Sequence, residues 1–292
     1  MPDPYADDVR AGQRAGTRYA LGAPRGAPRG LVGSHLASRP GSSLEFMEHR
    51  GYQPGDDLRH IDWAAYARSD RLSVKVYRHE VNPHVDLLVD GSRSMALEGT
   101  AKRAATVGLS ALLATAAANS RFTHRAWQSG ETWRPVENST AAPGAWPPMT
   151  FDTSADPGEA YLALPPRLAP LGMRFLVSDL LWPSEPSTLL ARLADAATSV
   201  TVIQLLAEDD VRPPHQGNIR LTDCETGTTR EVFIDASATA RYRDRLTRHQ
   251  QHWHRAARQA GAVLVTLVAE RVLRDWDLEP LMAAGVLKAN AT

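Results

Sequence analysis

Short apolar runs that alternate with amphipathic helical stretches constrain the fold of this chain most strongly. Val85 to Asp90, Arg174 to Asp179 and Ser199 to Leu206 are apolar runs of strand length. Such runs are typical of strands that are buried on both faces of a parallel sheet. Helical spacing follows the first run, in the stripe Ala101, Ala105, Leu109, Leu112 and Ala116, and leaves Lys102 and Arg103 outside the stripe. The alternation predicts an α/β fold, with a mostly parallel sheet and helices on both faces.

The composition divides the chain into three parts. Residues 1–30 are rich in Gly, Ala, Arg and Pro, which predicts a flexible leader. Residues 31–84 carry dense turn and charge signals and are interpreted as a small N-terminal segment. Residues 85–290 hold the α/β pattern, including a Pro-, Thr- and Ser-rich loop over 137–158, a length that is often functional.

Two further elements are predicted near the C-terminus. Leu221 to Asp235 has the pattern of a hairpin that turns at Thr226-Gly227, because glycine is suited to tight turns. Leu273 to Leu287 has the pattern of a terminal helix.

Composition also limits the possible partners and the compartment. The chain has 33 basic and 33 acidic residues, so no overall charge favours nucleic acid or an anionic membrane. Its one cysteine, Cys224, rules out an intramolecular disulfide and a cysteine-based zinc site. The apolar runs are far shorter than the about 20 residues that span a bilayer, and the N-terminus has no signal-peptide core. We therefore expect a cytoplasmic protein without a membrane span or a nucleic-acid partner.

Aspartates at the ends of two predicted strands mark the candidate site. Asp90 opens the turn Asp90-Gly91-Ser92-Arg93-Ser94, and Asp179 ends a second strand. Ligands of open α/β sheets bind outside the carboxyl ends of the strands. Carboxylate and hydroxyl oxygens that converge there suit a hard divalent metal, Mg²⁺ or Mn²⁺. The alternative is an ordinary strand-to-helix turn in which Ser92 or Ser94 caps the helix.

The Asp-x-Ser-x-Ser pattern at 90–94 resembles the first segment of a metal-ion-dependent adhesion site in von Willebrand factor A domains. That resemblance implies a Rossmann-like sheet and a metal held directly by the two serine hydroxyls, with the two aspartates acting through water or hydrogen bonds. It also implies a further hydroxyl from a separate loop, for which Thr150, Thr153 and Ser154 are the candidates. The predicted metal site therefore comprises Asp90, Ser92, Ser94, Asp179 and Ser154.

A longer stretch resembles the family known as domain of unknown function 58. The motif over 45–63, EFMEHRGYQPGDDLRHIDW, precedes the Asp90 turn at the separation typical of that family, and the similarity extends from about residue 30 to the C-terminus, including Asp223 to Gly227. Relatives are often encoded beside AAA+ ATPases of the MoxR type. The resemblance implies an adaptor or co-chaperone that binds such an ATPase and a client protein. Many relatives have N-terminal transmembrane helices, and this chain resembles the members without them.

Other functions stay open beside a non-enzymatic protein-interaction domain. One is a Mg²⁺-dependent hydrolase that uses Asp56, Asp57, Asp62 and Asp90 together, and another is a structural module with a degenerate metal site. Known enzyme motifs do not fit, because Ser92 stands where a haloacid-dehalogenase-like phosphatase needs aspartate. The turn at 91–94 is also not a Gly-x-Ser-x-Gly elbow, and the chain lacks the Gly-x-x-x-x-Gly-Lys-Ser/Thr phosphate loop.

Overall fold

A computed structural model of the chain describes residues 4–22, 44–54, 56, 61–79, 84–213 and 217–290. They form two compact units, one of Met1–Gly26 with Pro83–Thr292 and the other of Ala27–Asn82. The helices are α1 (Pro4–Gly16), α2 (Trp63–Ser69), α3 (Lys102–Asn119), α4 (Pro157–Ala163), α5 (Pro186–Ala194), α6 (Glu208–Val211), α7 (Ala236–Gln259), α8 (Ala269–Asp275) and α9 (Glu279–Ala283). The strands are β1 (Tyr19–Leu21), β2 (Leu44–Gly51), β3 (Ser73–His79), β4 (His84–Val89), β5 (Thr123–Gln128), β6 (Arg134–Pro135), β7 (Gly172–Ser178), β8 (Ala197–Leu206), β9 (Gly217–Thr222), β10 (Thr229–Ile234), β11 (Val263–Val268) and β12 (Leu287–Ala289).

The larger unit is a mixed α/β structure built on a six-stranded, mostly parallel sheet. Its strand order is β11-β8-β7-β4-β5-β6. The neighbouring strands are parallel except at one edge, where β6 runs antiparallel to β5. The predicted mostly parallel sheet is therefore confirmed.

The central strands β4, β7 and β8 are buried along most of their length. Successive side chains of a strand point to opposite sides of the sheet, so each of these strands contributes to a core on both faces. Leu87 and Val89 join the core that includes α3 and α8, whereas Leu88 joins a second core with residues of α5 and α7. All three side chains are fully buried. Helices consequently cover the sheet on both faces, and the carboxyl ends of the central strands emerge between the two cores.

The predicted flexible leader over residues 1–30 is wrong for residues 4–22. Helix α1 packs on α3, and β1 pairs with β12 in a separate two-stranded sheet. The two helices approach each other so closely that a Cβ added to Gly12 would collide with the carbonyl oxygen of Gly108. The small residues that suggested flexibility instead permit this helix packing; residues 23–30 lie outside the described residues.

The single terminal helix predicted over 273–287 is also wrong. Helix α8 ends at Asp275, because Trp276 adopts a left-handed conformation with φ 52° and caps it. Helix α9 and strand β12 follow. The predicted hairpin is present as β9 and β10, which pair antiparallel around the turn at Gly227, where φ is +72°.

The smaller unit contains β2 and β3, which pair antiparallel, and helix α2. Asp62 caps α2 by accepting hydrogen bonds from the backbone N–H groups of Ala64 and Ala65 at 3.0 and 2.9 Å. In the part of the chain that the structure describes, no helix is long and apolar enough to cross a membrane.

Candidate functional site

The candidate site lies where the strand order of the main sheet reverses. From β4 the chain passes to β5 on one side, and the later strand β7 lies on the other side of β4. A reversal of this kind leaves a crevice at the carboxyl ends of the two central strands. Asp90 and Asp179 directly follow β4 and β7, and the backbone N–H of Asp90 donates to the carbonyl of Val177 at 3.0 Å. The two predicted acids therefore lie at the same edge of the sheet, on neighbouring strands.

Asp90 is completely buried in this crevice. Its Oδ1 accepts from the backbone N–H of Ser92 at 2.9 Å, and its Oδ2 accepts from the hydroxyl of Ser178 at 2.6 Å. The pKa of Asp90 is raised from 3.8 to about 7. Burial is the larger cause, and the nearby carboxylate of Asp179 is the second. A cation bound here would oppose both effects, because it favours the charged form of the carboxyl.

The two predicted serine ligands face each other across the turn after Asp90. The hydroxyls of Ser92 and Ser94 are hydrogen-bonded to each other, with 3.0 Å between their Oγ atoms. Adjacent ligands of an octahedral metal with bonds of about 2.1 Å are about 3.0 Å apart, so this spacing fits Mg²⁺. Gly91 permits the close approach of this turn to the carbonyl oxygen of Ser129, with which a Cβ would collide.

In the long loop, Thr153 rather than Ser154 is the residue held against the serine turn. Ser92 and Thr153 form an isolated parallel bridge, and the backbone N–H of Arg93 donates to the carbonyl of Thr153 at 3.1 Å. Thr153 is buried, whereas Ser154 and Thr150 are exposed. Of the three candidate hydroxyl residues, Thr153 is therefore the one whose backbone is held against the serine turn, and its Oγ1 accepts from the backbone N–H of Ala155 at 3.1 Å. The alternating burial along this loop could not be inferred from its irregular sequence.

A buried lysine, which the sequence pattern placed outside the apolar stripe of α3, binds Asp179. The Nζ of Lys102 donates to Oδ2 of Asp179 at 2.9 Å and lies 2.8 Å from Oδ2 of Asp210. The other oxygen of Asp179 accepts from the backbone N–H of Leu181 at 3.0 Å. Burial alone would lower the pKa of Lys102, but the two carboxylates outweigh burial and raise the pKa above 10.5. Both carboxylate oxygens of Asp179 thus accept from protein donors.

A glutamate from the distant β9–β10 hairpin also reaches the serine turn. Oε1 of Glu225 accepts from the backbone N–H of Ser94 at 2.9 Å, and the carbonyl of Glu225 accepts from the guanidinium of Arg93 at 3.0 Å. Sequence reasoning placed Glu225 only within a stretch that resembles the family, and assigned it no role. Glu225 contacts residues about 130 positions earlier in the chain, so local sequence patterns could not have indicated this contact.

The donor set fits a small hard cation only if hydroxyls are ligands. Within the described ranges, no three His, Cys, Asp or Glu side chains gather closely enough to hold a metal ion. The residues that could hold Mg²⁺ or Mn²⁺ are therefore Ser92, Ser94 and Thr153, with Asp90 bound through water and Glu225 beside them.

Two acidic residues of the 45–63 motif, Asp56 and Asp62, make contacts within the smaller unit. Asp56 accepts from the guanidinium of Arg50 at 2.8 Å, which holds the pKa of Asp56 below its usual value. Asp62 caps α2 with one oxygen, and its other oxygen lies 2.7 Å from Nε2 of His49. The contact of Asp56 is an ion pair, and those of Asp62 are a helix cap and a hydrogen bond with His49. Asp57 lies outside the described residues.

Comparison with known proteins identifies a family. The model of a family described as "Protein of unknown function DUF58" matches residues 48–145 and 153–253. The chain is 32% identical over 264 residues to the uncharacterized protein Rv1480 of Mycobacterium tuberculosis, an alignment that covers 84% of this chain and 80% of that protein. The same values hold for the uncharacterized protein Mb1516 of Mycobacterium bovis.

Two solved structures show a more distant likeness. One is the conserved hypothetical protein BatB from Bacteroides thetaiotaomicron, with a TM-score of 0.35 and 9% identity, covering 69% of this chain and 98% of that one. The other is an aerotolerance-related membrane protein from Bacteroides fragilis, with a TM-score of 0.35 and 10% identity, covering 69% and 99% of the two chains. A TM-score this low establishes neither a shared fold nor a shared function.

Proposed function

The chain belongs to the family described as "Protein of unknown function DUF58", and we propose that it is a non-enzymatic protein-interaction domain with a von Willebrand factor A-like, Rossmann-like sheet. In this proposal, Mg²⁺ or Mn²⁺ is held by Ser92, Ser94 and Thr153, and Asp90 and Asp179 contribute through water and hydrogen bonds. The bound metal would supply an electrophilic position for a carboxylate of a partner protein. The burial and hydrogen bonds of Asp90 and Asp179 support a role for these two carboxyl groups in holding the site rather than in attacking a substrate.

One observation carries this proposal. The hydroxyls of Ser92 and Ser94 lie 3.0 Å apart beside the fully buried Asp90, at the reversal point of the sheet. Hydroxyl ligands leave the charge of a divalent cation largely unneutralised, which favours binding of an external carboxylate. The alternative of an ordinary helix cap is less favoured, because Ser92 makes no side-chain capping hydrogen bond to the short helical turn Arg93–Ala96 that follows it.

The partner that we propose is an AAA+ ATPase of the MoxR type, for which the chain would serve as an adaptor or co-chaperone with a client protein. The test uses the full-length tagged chain and a purified MoxR-type ATPase from the same organism, at fixed nucleotide and Mg²⁺. Ser92→Ala and Asp90→Asn should each weaken the measured affinity at least tenfold. The matched control is Ser187→Ala, because the exposed Ser187 hydroxyl contacts only Glu185 among the described residues. Equal affinity for all four proteins would refute a metal-dependent contact.

A structural module with a degenerate metal site is the second candidate, and the ion pair of Lys102 favours it. An ammonium group already occupies Oδ2 of Asp179 and is buried with it. If that ammonium takes the place of a metal, isothermal titration calorimetry should detect no binding of Mg²⁺ or Mn²⁺ at millimolar concentration. Saturable binding that Ser92→Ala abolishes would exclude this candidate.

A further inference from the structure

We infer that Glu225 is an internal carboxylate ligand of the serine site, so that the β9–β10 hairpin is latched to the sheet when the metal is bound. This inference rests on the proposed metal-binding function. The latch consists of Glu225 on one side and the turn Ser92–Ser94 on the other. A partner carboxylate would then have to compete with Glu225 for the same position.

Only one of the two carboxylate oxygens of Glu225 accepts a hydrogen bond in the described part of the chain. Oε1 accepts from the backbone N–H of Ser94 at 2.9 Å. Oε2 is buried and has no hydrogen-bond partner in the described part of the chain. A buried carboxylate oxygen without a partner is costly, and metal coordination is one way in which such an oxygen is satisfied.

The hairpin turn presents Glu225 without depending on the side chain for its own shape. Oδ1 of Asp223 accepts from the backbone N–H groups of Glu225 and Thr226 at 2.8 and 3.2 Å. Gly227 supplies the positive φ that closes the turn, and its N–H donates to the carbonyl of Asp223 at 2.8 Å. The Glu225 side chain is therefore free to serve the site rather than the turn.

The rest of the hairpin buries little apolar surface. Strands β9 and β10 form a two-stranded sheet of their own, and Leu221 and Phe233 are 49% and 66% exposed. Segments with few buried apolar contacts open at low free-energy cost. The contacts made by Glu225 and by Arg93 are therefore well placed to decide whether the hairpin is closed.

Cys224 provides a reporter for this latch. It is the one cysteine of the chain, it is half-buried, and its Sγ lies 4.0 Å from Oε1 of Glu225. The experiment measures the rate at which the thiol reacts with 5,5′-dithiobis(2-nitrobenzoate), with and without saturating Mg²⁺. The same samples are titrated with Mg²⁺ by isothermal titration calorimetry. Because each protein is compared with itself, direct effects of a substitution on the thiol cancel.

The test variant is Glu225→Gln, which keeps an acceptor for Ser94 but removes the charge. The matched control is Glu231→Gln on the same hairpin, because Glu231 is an exposed residue that pairs with Arg220. In the wild-type and control proteins, Mg²⁺ should slow the thiol reaction at least fivefold. In Glu225→Gln, this protection should disappear and the affinity for Mg²⁺ should fall about tenfold or more.

The outcomes separate this inference from the proposed function. If wild-type and Glu225→Gln bind Mg²⁺ equally well and Mg²⁺ does not alter the thiol rate in either, the latch is overturned and the metal site stands. If the wild-type protein binds neither Mg²⁺ nor Mn²⁺, the metal site and the latch are both overturned. Loss of protection and affinity in Glu225→Gln, with an unchanged melting temperature, supports the latch.

Discussion

Replacing Lys102 by methionine should destabilise the larger unit by about 3–5 kcal/mol, the range for removing one partner of a buried ion pair. Lys102 and Asp179 have side chains that are 1% and 2% exposed, so the carboxyl group of Asp179 would be left buried without its cation. The low end of the range is expected, because Oδ1 of Asp179 keeps its bond from Leu181. The broken contact with Asp210 contributes less to the destabilisation. The Asp210 side chain is 17% exposed and also accepts from the backbone N–H of Ala207 at 2.9 Å.

Urea unfolding followed by tryptophan fluorescence at pH 7 measures this effect. Arg103→Met is the matched control on the same helix, because the Arg103 guanidinium is 40% exposed and pairs with Asp8 at 3.3 Å; it should cost less than about 1 kcal/mol. Adding Asp179→Asn to Lys102→Met should restore about 1–3 kcal/mol, since it removes the unpaired charge. A loss below about 1 kcal/mol for Lys102→Met, or no recovery in the double variant, would show that the pair is not buried as described.

Further predictions concern helix α1, a buried histidine and the metal. Gly12→Ala should cost about 1–3 kcal/mol in urea unfolding, because the new methyl group would collide with the backbone of Gly108 and force α1 from α3; an unchanged midpoint would contradict this packing. Burial lowers the pKa of His124 below 6.5, so the unfolded chain takes up that proton first as the pH falls. The free energy of unfolding should therefore decrease from pH 6.5 down to the folded-state pKa, and His124→Gln should lack this part of the decrease. Mg²⁺ at ten times its dissociation constant should raise the free energy of unfolding by about 1.4 kcal/mol, and a melting temperature that does not change with Mg²⁺ would argue against the site.

The local pattern of the sequence was sufficient for the main sheet. Continuous apolar runs marked β4, β7 and β8 because both faces of each strand are buried, and that burial selects the same residue types wherever the strand lies. The local pattern was insufficient for α1, because a flexible segment can have the same Gly and Ala content. Only the partner surface at Gly108 makes small residues an advantage, and that surface lies about 100 positions away in the chain.

The same distinction applies to the candidate site. Asp90, Ser92 and Ser94 are close in sequence, so their turn could be predicted from local spacing. Lys102 was placed on the wrong side of α3, because apolar periodicity assigns a lysine to solvent unless its buried carboxylate partners are known.

The charges at the reversal point of the sheet are the reason why we propose a divalent cation there rather than an empty site. Lys102 brings one positive charge to Asp179 and Asp210. Asp90 and Glu225 add two further carboxyl groups, and the raised pKa of Asp90 reflects burial together with the charge of Asp179. A site in which Lys102 served alone as the substitute for a metal would compensate this excess of acid only through partial protonation of Asp90, whose pKa is raised to about 7. Mg²⁺ between the serine hydroxyls would lower the pKa of Asp90 and give the second oxygen of Glu225 a ligand role, which is why one ion can account for both features.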